Sequence, residues 1–416
     1  MSVRARLLRA PALRTEETGR SSSWLELFFD LVFVIAITQI GLALAGDVSL
    51  CGFARFALLL APVWWSWVGY TNYADRFDSD DLPFRLLMLG GMAGIAVVAV
   101  AIPDAFGHRS AVFAGAYAVV RTLLILLYAR ARRHVPAARA LCNVTMSVFI
   151  VGTTLWVISI AVPEPWRFLL WGAALGIEGA TPWIARRAMT AVPYHASHLP
   201  ERYGLFTLIV LGEALAAVAF GVHRTNWQAE SIIVAGAAFV CAAALWWVYF
   251  DSIDRGIVRQ SLLARNVFIY GHLAIAMGLT MLGVGIKQAI LYANTGHLPA
   301  GDRWALCGGA ALFLGALAIV RGVATHAVHD EVLAARTAIA SLLAVCGVVG
   351  TWLSRLALML IVCTLLLAAV VIDVSLHLRM EAAPELGPGS SDAQLPRGDT
   401  VLAAETAARG QSGSTS

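Results

Sequence analysis

Apolar residues fall into long runs, separated by short joints that carry charge, proline or glycine. The hydrocarbon core of a bilayer is about 30 Å thick, so a crossing helix needs about 20 mostly apolar residues. By that measure the pattern predicts about twelve membrane-spanning helices, at 24–46, 52–74, 84–103, 110–130, 138–161, 166–187, 201–222, 229–250, 263–290, 303–322, 336–354 and 356–378. The fold class is an all-α polytopic membrane protein. The joint Thr351–Arg355 is so short that one long helix broken there would also fit. Residues 1–22 form an arginine-rich segment with no apolar core, expected to be cytoplasmic and no cleavable signal peptide. Residues 381–416 are rich in Gly, Pro, Ser and Ala, the composition of a disordered, dispensable tail.

Composition agrees with the pattern. A hydrophobic share of 59% and a charged share of 13% exclude an ordinary soluble domain. Basic residues are distributed unevenly. With a cytoplasmic N-terminus, the inner segments hold 22 arginines and the outer ones seven basic residues, leaving Arg121 inside a span. The positive-inside rule then puts both termini in the cytoplasm, for an even helix number. The six cysteines are scattered, without C-x-x-C, and predict neither disulfides nor a metal cluster. No P-loop is present, and the two H-x-x-H pairs, His195/His198 and His326/His329, satisfy too few ligands for zinc. No metal, cofactor or nucleic-acid partner is expected.

Acidic positions recur along the chain. Glu26 matches Glu201 at an offset of 175, Asp75-Arg76 matches Asp254-Arg255 at 179, and Glu178 matches Asp373 at 195. Offsets that rise steadily suggest two parallel six-helix repeats, 23–190 and 191–380, related by an axis along the membrane normal.

Chemistry concentrates in the first helix. Ser23 and Glu26 have capping-box spacing, and Glu26 and Asp30 share a helix face at i, i+4. Asp30 lies beyond the reach of any cap, with Thr38 and Gln39 deeper still. An ionisable group within a span marks a proton or ion path, or else a structural ion pair, here with Arg121 as the basic residue deep in a span. Arg121 needs an acidic partner, and Asp30, Glu178 and Glu213 are the candidates. Glu213 lies three turns into the seventh span, eleven residues after Arg202 and so on the same face. Glu201 suits a helix first turn, as Glu26 does. Glu178 and Asp373 form the second symmetric pair. Asp30 and Glu213 are expected to converge on one central cavity. The clusters Trp64-Trp65-Trp67-Tyr70 and Trp246-Trp247-Tyr249-Phe250 read as packing and interfacial belt. The acidic run Asp75, Asp78, Asp80, Asp81 reads as a solvated loop.

Two of these stretches carry a family resemblance. WLELFFDLVFVIAITQI in the first span and ERYGLFTLIVLGEALAAVAFG in the seventh resemble the signatures of the bacterial low temperature requirement protein A family. The resemblance extends over roughly residues 20–380 and implies a polytopic protein of the bacterial inner (plasma) membrane, in a family named for growth in the cold. It implies a fold more than an activity. Buried charge adds the functional reading, an ion or small-solute transporter whose Asp30, Glu213, Glu26, Glu178 and Asp373 couple to a cation or proton. Its partners would be the lipid bilayer and an ion or small solute, with room for a homo-oligomer. The rivals are a cation channel, a membrane-embedded enzyme acting on lipid or isoprenoid carriers, and a structural partner without transport. Phe28, Asp30 and Thr38 loosely resemble the first-helix motif of potassium channels with a phenylalanine-serine-aspartate signature, but Phe29 stands at the serine position. Transport is favoured over enzymatic chemistry. Reporter fusions placed after residue 20 and after residue 385 are expected to read cytoplasmic, and opposite readings would require an odd helix number.

Overall fold

A computed structural model describes residues 9–14, 23–192, 194–195, 198–223, 229–253, 257–291, 296–325 and 330–382. The chain divides into a unit of residues 1–376 and a second of 377–416, of which residues 377–382 are described as the end of a helix. The long helices are α1 (Trp24–Gly46), α2 (Leu50–Arg76), α3 (Leu82–Ala101), α4 (Ser110–His134) and α5 (Arg139–Ala161). They continue with α6 (Trp166–Gly179), α7 (His198–His223), α8 (Ala229–Phe250), α9 (Leu262–Leu291), α10 (Ala300–Thr325), α11 (Glu331–Val349) and α12 (Arg355–Ala382). Asp254, Arg255, His326, His329 and the tail from residue 383 lie outside the described residues.

Among the described residues, eleven helices are long and apolar enough to cross a membrane. The expected sixth span is the exception. α6 holds 14 residues, and single helical turns follow at Thr181–Ile184 and Arg186–Met189. Fourteen residues rise about 21 Å, short of the hydrocarbon thickness. Pro182 lacks an amide proton and so opens a new turn better than it continues the old helix. At Thr351–Arg355 the chain makes two helices. A 3₁₀ turn at Gly350–Trp352 ends α11, and Ser354 caps α12 by accepting the Ala357 amide at 3.1 Å. Other starts are capped as polar sequence dictates. Ser23 accepts the Glu26 amide, Ser49 the Gly52 amide, and Asp330 those of Val332 and Leu333.

Packing repeats its order. α1 lies on α2 and α3, α3 on α4, and α4 on α5; α7 lies on α8 and α9, α9 on α10, and α10 on α11. α1 also packs on α7 and α9, joining the two sets. Gly283 lies against Ala214 and Gly221 against Ile290, so α7 and α9 run parallel; α1 runs the same way, with Gly41 against Thr280 and Gln288 donating to the Ala45 carbonyl. Large apolar side chains such as Leu31, Ile35, Phe239 and Val371 stay exposed, as they do where lipid is the solvent.

The N-terminal end of α1 is covered by polar chain. Ala12–Leu13 pairs antiparallel with Phe77–Asp78, and Arg9 bonds Asp78 at 3.0 Å. The acidic run is therefore not the solvated loop expected. Asp75 and Asp81 are buried, and Arg130 grips both carboxylate oxygens of Asp81 at 3.0 and 2.5 Å. Buried carboxylates need charged partners, and the long Arg130 side chain reaches 49 residues along the chain to supply one.

α9 and α10 meet backbone to backbone. Gly278 lies against the Gly309 carbonyl and Gly285 against the Leu306 amide, where α10 widens into a π-helical turn at Trp304–Gly308. A Cβ on Gly285 would lie 2.3 Å from that amide. Gly285→Leu is expected to cost about 1–3 kcal/mol, as overpacking does. Thermal unfolding of purified protein should show it, whereas Gly236→Leu, with nothing within 4 Å of its Cβ, should leave the transition in place.

Candidate functional site

Two helical pairs at i, i+4 face each other, Glu26 and Asp30 on α1 and His198 and Arg202 on α7. Arg202 spans both acids, with Nη1 2.9 Å from Glu26 Oε2 and Nη2 2.5 Å from Asp30 Oδ1. A planar guanidinium suits this two-carboxylate geometry as an ammonium does not. The Trp67 indole of α2 donates to the same Asp30 oxygen at 2.7 Å. His198 extends the chain, with Nε2 3.2 Å from Glu26 Oε2 and Nδ1 3.1 Å from Asp75 Oδ1. Asp75 Oδ2 accepts the His195 amide at 2.9 Å, and Arg14 approaches Glu26 to 3.8 Å. Asp75, His198, Glu26, Arg202 and Asp30 thus form one continuous buried line.

The contacts of His198 call for one more proton than a neutral imidazole between ionised carboxylates carries. Both ring nitrogens of His198 face carboxylate oxygens, and a neutral imidazole has only one N–H to donate. Satisfying both contacts takes either an imidazolium or a protonated acid beside it. At the other end, Asp30 Oδ2 is buried with no hydrogen-bond donor among the described residues. An oxygen so placed is where a proton or small cation would be stabilised.

Aromatic side chains close the line off. Trp64 and Trp67 stack at 5.1 Å, and Trp67 packs on Tyr203 at 4.8 Å and Phe206 at 4.4 Å. Beyond this layer, towards the C-terminal ends of α1, α7 and α9, lies a cavity of about 250 Å³. Thr38, Glu213, Thr280 and Lys287 supply its polar lining, and Ile37, Val210 and Leu279 part of its apolar wall. Asp30 and Glu213 therefore do not converge on one cavity. Eleven residues of α7 separate Glu213 from Arg202, a rise of about 16 Å, and the aromatic layer fills the interval. Thr38, not Asp30, shares the space with Glu213.

The remaining candidates lie elsewhere. Arg121 on α4 pairs with Glu178 on α6 at 2.9 Å, both fully buried; Tyr117 donates to the same carboxylate and the Phe149 ring lies 4.0 Å from the guanidinium. Arg336 on α11 grips Asp373 on α12, also fully buried. Each symmetric acid has its own arginine, but from the fourth helix of one set and the fifth of the other, so the pairs are not equivalent. Glu201 is exposed on the outer side of α7. Arg121 is not alone in the interior, since Arg202 and Arg336 are as deeply buried. Among the described residues no group of three His, Cys, Asp or Glu could hold a metal ion.

Sequence reasoning missed Asp75, His198 and Trp67. Asp75 was hidden in an acidic run and His198 in a weak metal pair. The available signal was complementarity, since E-x-x-x-D on one signature helix matches H-x-x-x-R on the other.

A family model described as "Bacterial low temperature requirement A protein (LtrA)" matches residues 21–372. The uncharacterized protein RA0937 of Rhizobium meliloti (strain 1021) is 33% identical over 293 residues, covering 66% of this chain and 71% of that protein. No solved structure matches the chain.

The Arg121–Glu178 pair generates a stability test. Arg121→Leu leaves Glu178 buried and unpaired, which is expected to cost about 3–5 kcal/mol. Adding Glu178→Leu should recover part of that loss, read as a rise in the unfolding temperature of the double variant over Arg121→Leu alone.

Proposed function

The chain belongs to the bacterial low temperature requirement A family, and from that membership and its two sites we propose a proton-coupled transporter of a small solute. The observation that carries this reading is that one pair of helices, α1 and α7, bears both sites. The buried line of Glu26, Asp30, His198 and Arg202 lies near their N-terminal ends, and the Glu213 cavity lies two to three turns further along. A proton entering or leaving the line changes how strongly Arg202 is held between Glu26 and Asp30. Such a change shifts α1 against α7, and those same two helices form walls of the cavity. Opening the aromatic layer of Trp64, Trp67, Tyr203 and Phe206 would then connect the two sides. Glu178 and Asp373, each neutralised by its own arginine, hold the surrounding helices.

The same reading takes residues 166–189 as a twelfth, broken crossing, which leaves both termini in the cytoplasm of a cell whose inner membrane holds the protein. The matching packing order of α1–α5 and α7–α11 supports two parallel repeats. A structural lock is the second reading, favoured by the complete burial of Asp30 and Asp75.

Purified protein in liposomes with an entrapped pH indicator separates the two. Asp30→Asn keeps an acceptor oxygen for Trp67 and leaves Arg202 paired with Glu26. It should reduce proton movement to the leak of empty liposomes, while the unfolding temperature moves by less than about 4 °C, the equivalent of ~1 kcal/mol in a large domain. Unaltered flux with a large loss of stability would identify the cluster as a lock.

A further inference from the structure

We infer that the cavity between α1, α7 and α9 binds a compact zwitterion, an ammonium and an anionic group on an apolar body, as in an amino acid. The inference rests on the transport reading only for the movement of that solute across the membrane. The first ground is hydrogen-bond direction. The Thr38 hydroxyl donates to the Val34 carbonyl at 3.0 Å and the Thr280 hydroxyl to the Ala276 carbonyl at 2.9 Å. Thr280 has committed its proton to its own helix and offers the cavity lone pairs alone, while the Thr38 hydroxyl also contacts the Glu213 carboxylate and keeps its lone pairs for the cavity. With the Glu213 carboxylate they form an acceptor set, which suits the three donors of an ammonium group.

The second ground is charge. Lys287, the chain's only lysine, is the cavity's cationic donor. It acts electrostatically on Glu213, yet among the described residues it forms no ion pair. An ammonium and a carboxylate kept apart within a largely apolar wall are matched by a ligand with the opposite charges in the opposite places. The third ground is size. A volume of about 250 Å³ has room for about eight waters at 30 Å³ each, which limits the ligand to a small molecule or a headgroup. Leu42 and Phe220 border the cavity and are themselves exposed, so its rim is apolar. Either a free amino acid or the headgroup of an aminophospholipid has this chemistry.

Titration calorimetry on the purified full chain in detergent tests the inference. The probes are L-leucine, its single-charge analogues isovalerate and isoamylamine, and short-chain dihexanoyl phosphatidylethanolamine and phosphatidylglycerol. A zwitterion should bind saturably, with the single-charge analogues about tenfold or more weaker, since each lacks one charged contact. Lys287→Met and Glu213→Gln should both lose that binding, and the milder Thr280→Val should weaken it with unfolding unchanged. Leucine binding identifies a soluble solute; phosphatidylethanolamine binding without leucine identifies a lipid. Equal binding of the single-charge analogues, wild-type binding by both charge variants, or no heat from any zwitterion would overturn the inference. Liposome flux keeps the two proposals apart. Protein that binds leucine but moves neither it nor protons retains the site and loses transport. Protein that moves protons but binds no zwitterion does the reverse.

Discussion

Arg202 is a permanently charged side chain inside a bundle whose solvent is hydrocarbon, and this constraint organises the protein's centre. A guanidinium cannot shed its proton there, so it must be neutralised where it stands. Glu26 and Asp30 do this together, one turn apart on α1, at 2.9 and 2.5 Å. Two carboxylates on one cation leave the site short of positive charge and donors, and the surroundings supply them. Trp67 reaches Asp30 from α2, and His198 bridges Glu26 to Asp75. The mutual register of α1, α2 and α7 is therefore set by polar contacts with fixed geometry, in a medium where apolar side chains gain little by choosing one neighbour over another.

The same rule governs the periphery. Arg121 with Glu178 ties α4 to α6, and Arg336 with Asp373 ties α11 to α12. Gly152 of α5 lies against the Glu178 carboxylate, where a Cβ would come within 2.4 Å of Oε1, so α5 must be small at that point for the pair to close. α9 and α10 are held differently, by glycines that let their backbones touch. Charge pairs fix which helices meet, and small residues fix how closely they approach.

The proposed function rests on the charges of the α1–α7 line and of the cavity beyond it. The Arg121 and Arg336 pairs are enclosed, each arginine against one acid, and they too leave guanidinium nitrogens without a hydrogen-bond acceptor among the described residues. In the α1–α7 line Arg202 is shared by two carboxylates and both ring nitrogens of His198 face carboxylate oxygens, and the cavity beyond holds Glu213 and Lys287 with no ion pair between them among the described residues. Under the proposed function, a proton would complete the line and a solute would complete the cavity. The aromatic layer between the two sites is apolar and close-packed, so the line and the cavity can respond to each other only by movement of α1 and α7.

Much of this was legible in the residues. The spans could be read because hydrocarbon thickness demands long apolar runs, and α1 and α8 match their predicted limits. Asp30 and Arg121 stood out because charge within a span is rare, and the need of Arg121 for an acid followed from its cost. Pairing could not be read. Arg121 had three candidate acids, and only the packing of α4 against α5 and α6 brings Glu178 to it. Asp75 lies in an acidic run typical of a loop, and its burial depends on the residue 12–13 strand and on α7 closing over it. The cavity needed three helices in parallel register, a relation between residues 38, 213, 280 and 287 that no local pattern encodes. Local sequence determined which segments enter the membrane and which side chains are expensive there; tertiary structure alone decided which of those side chains meet, because pairing is a matter of distance between helices far apart along the chain.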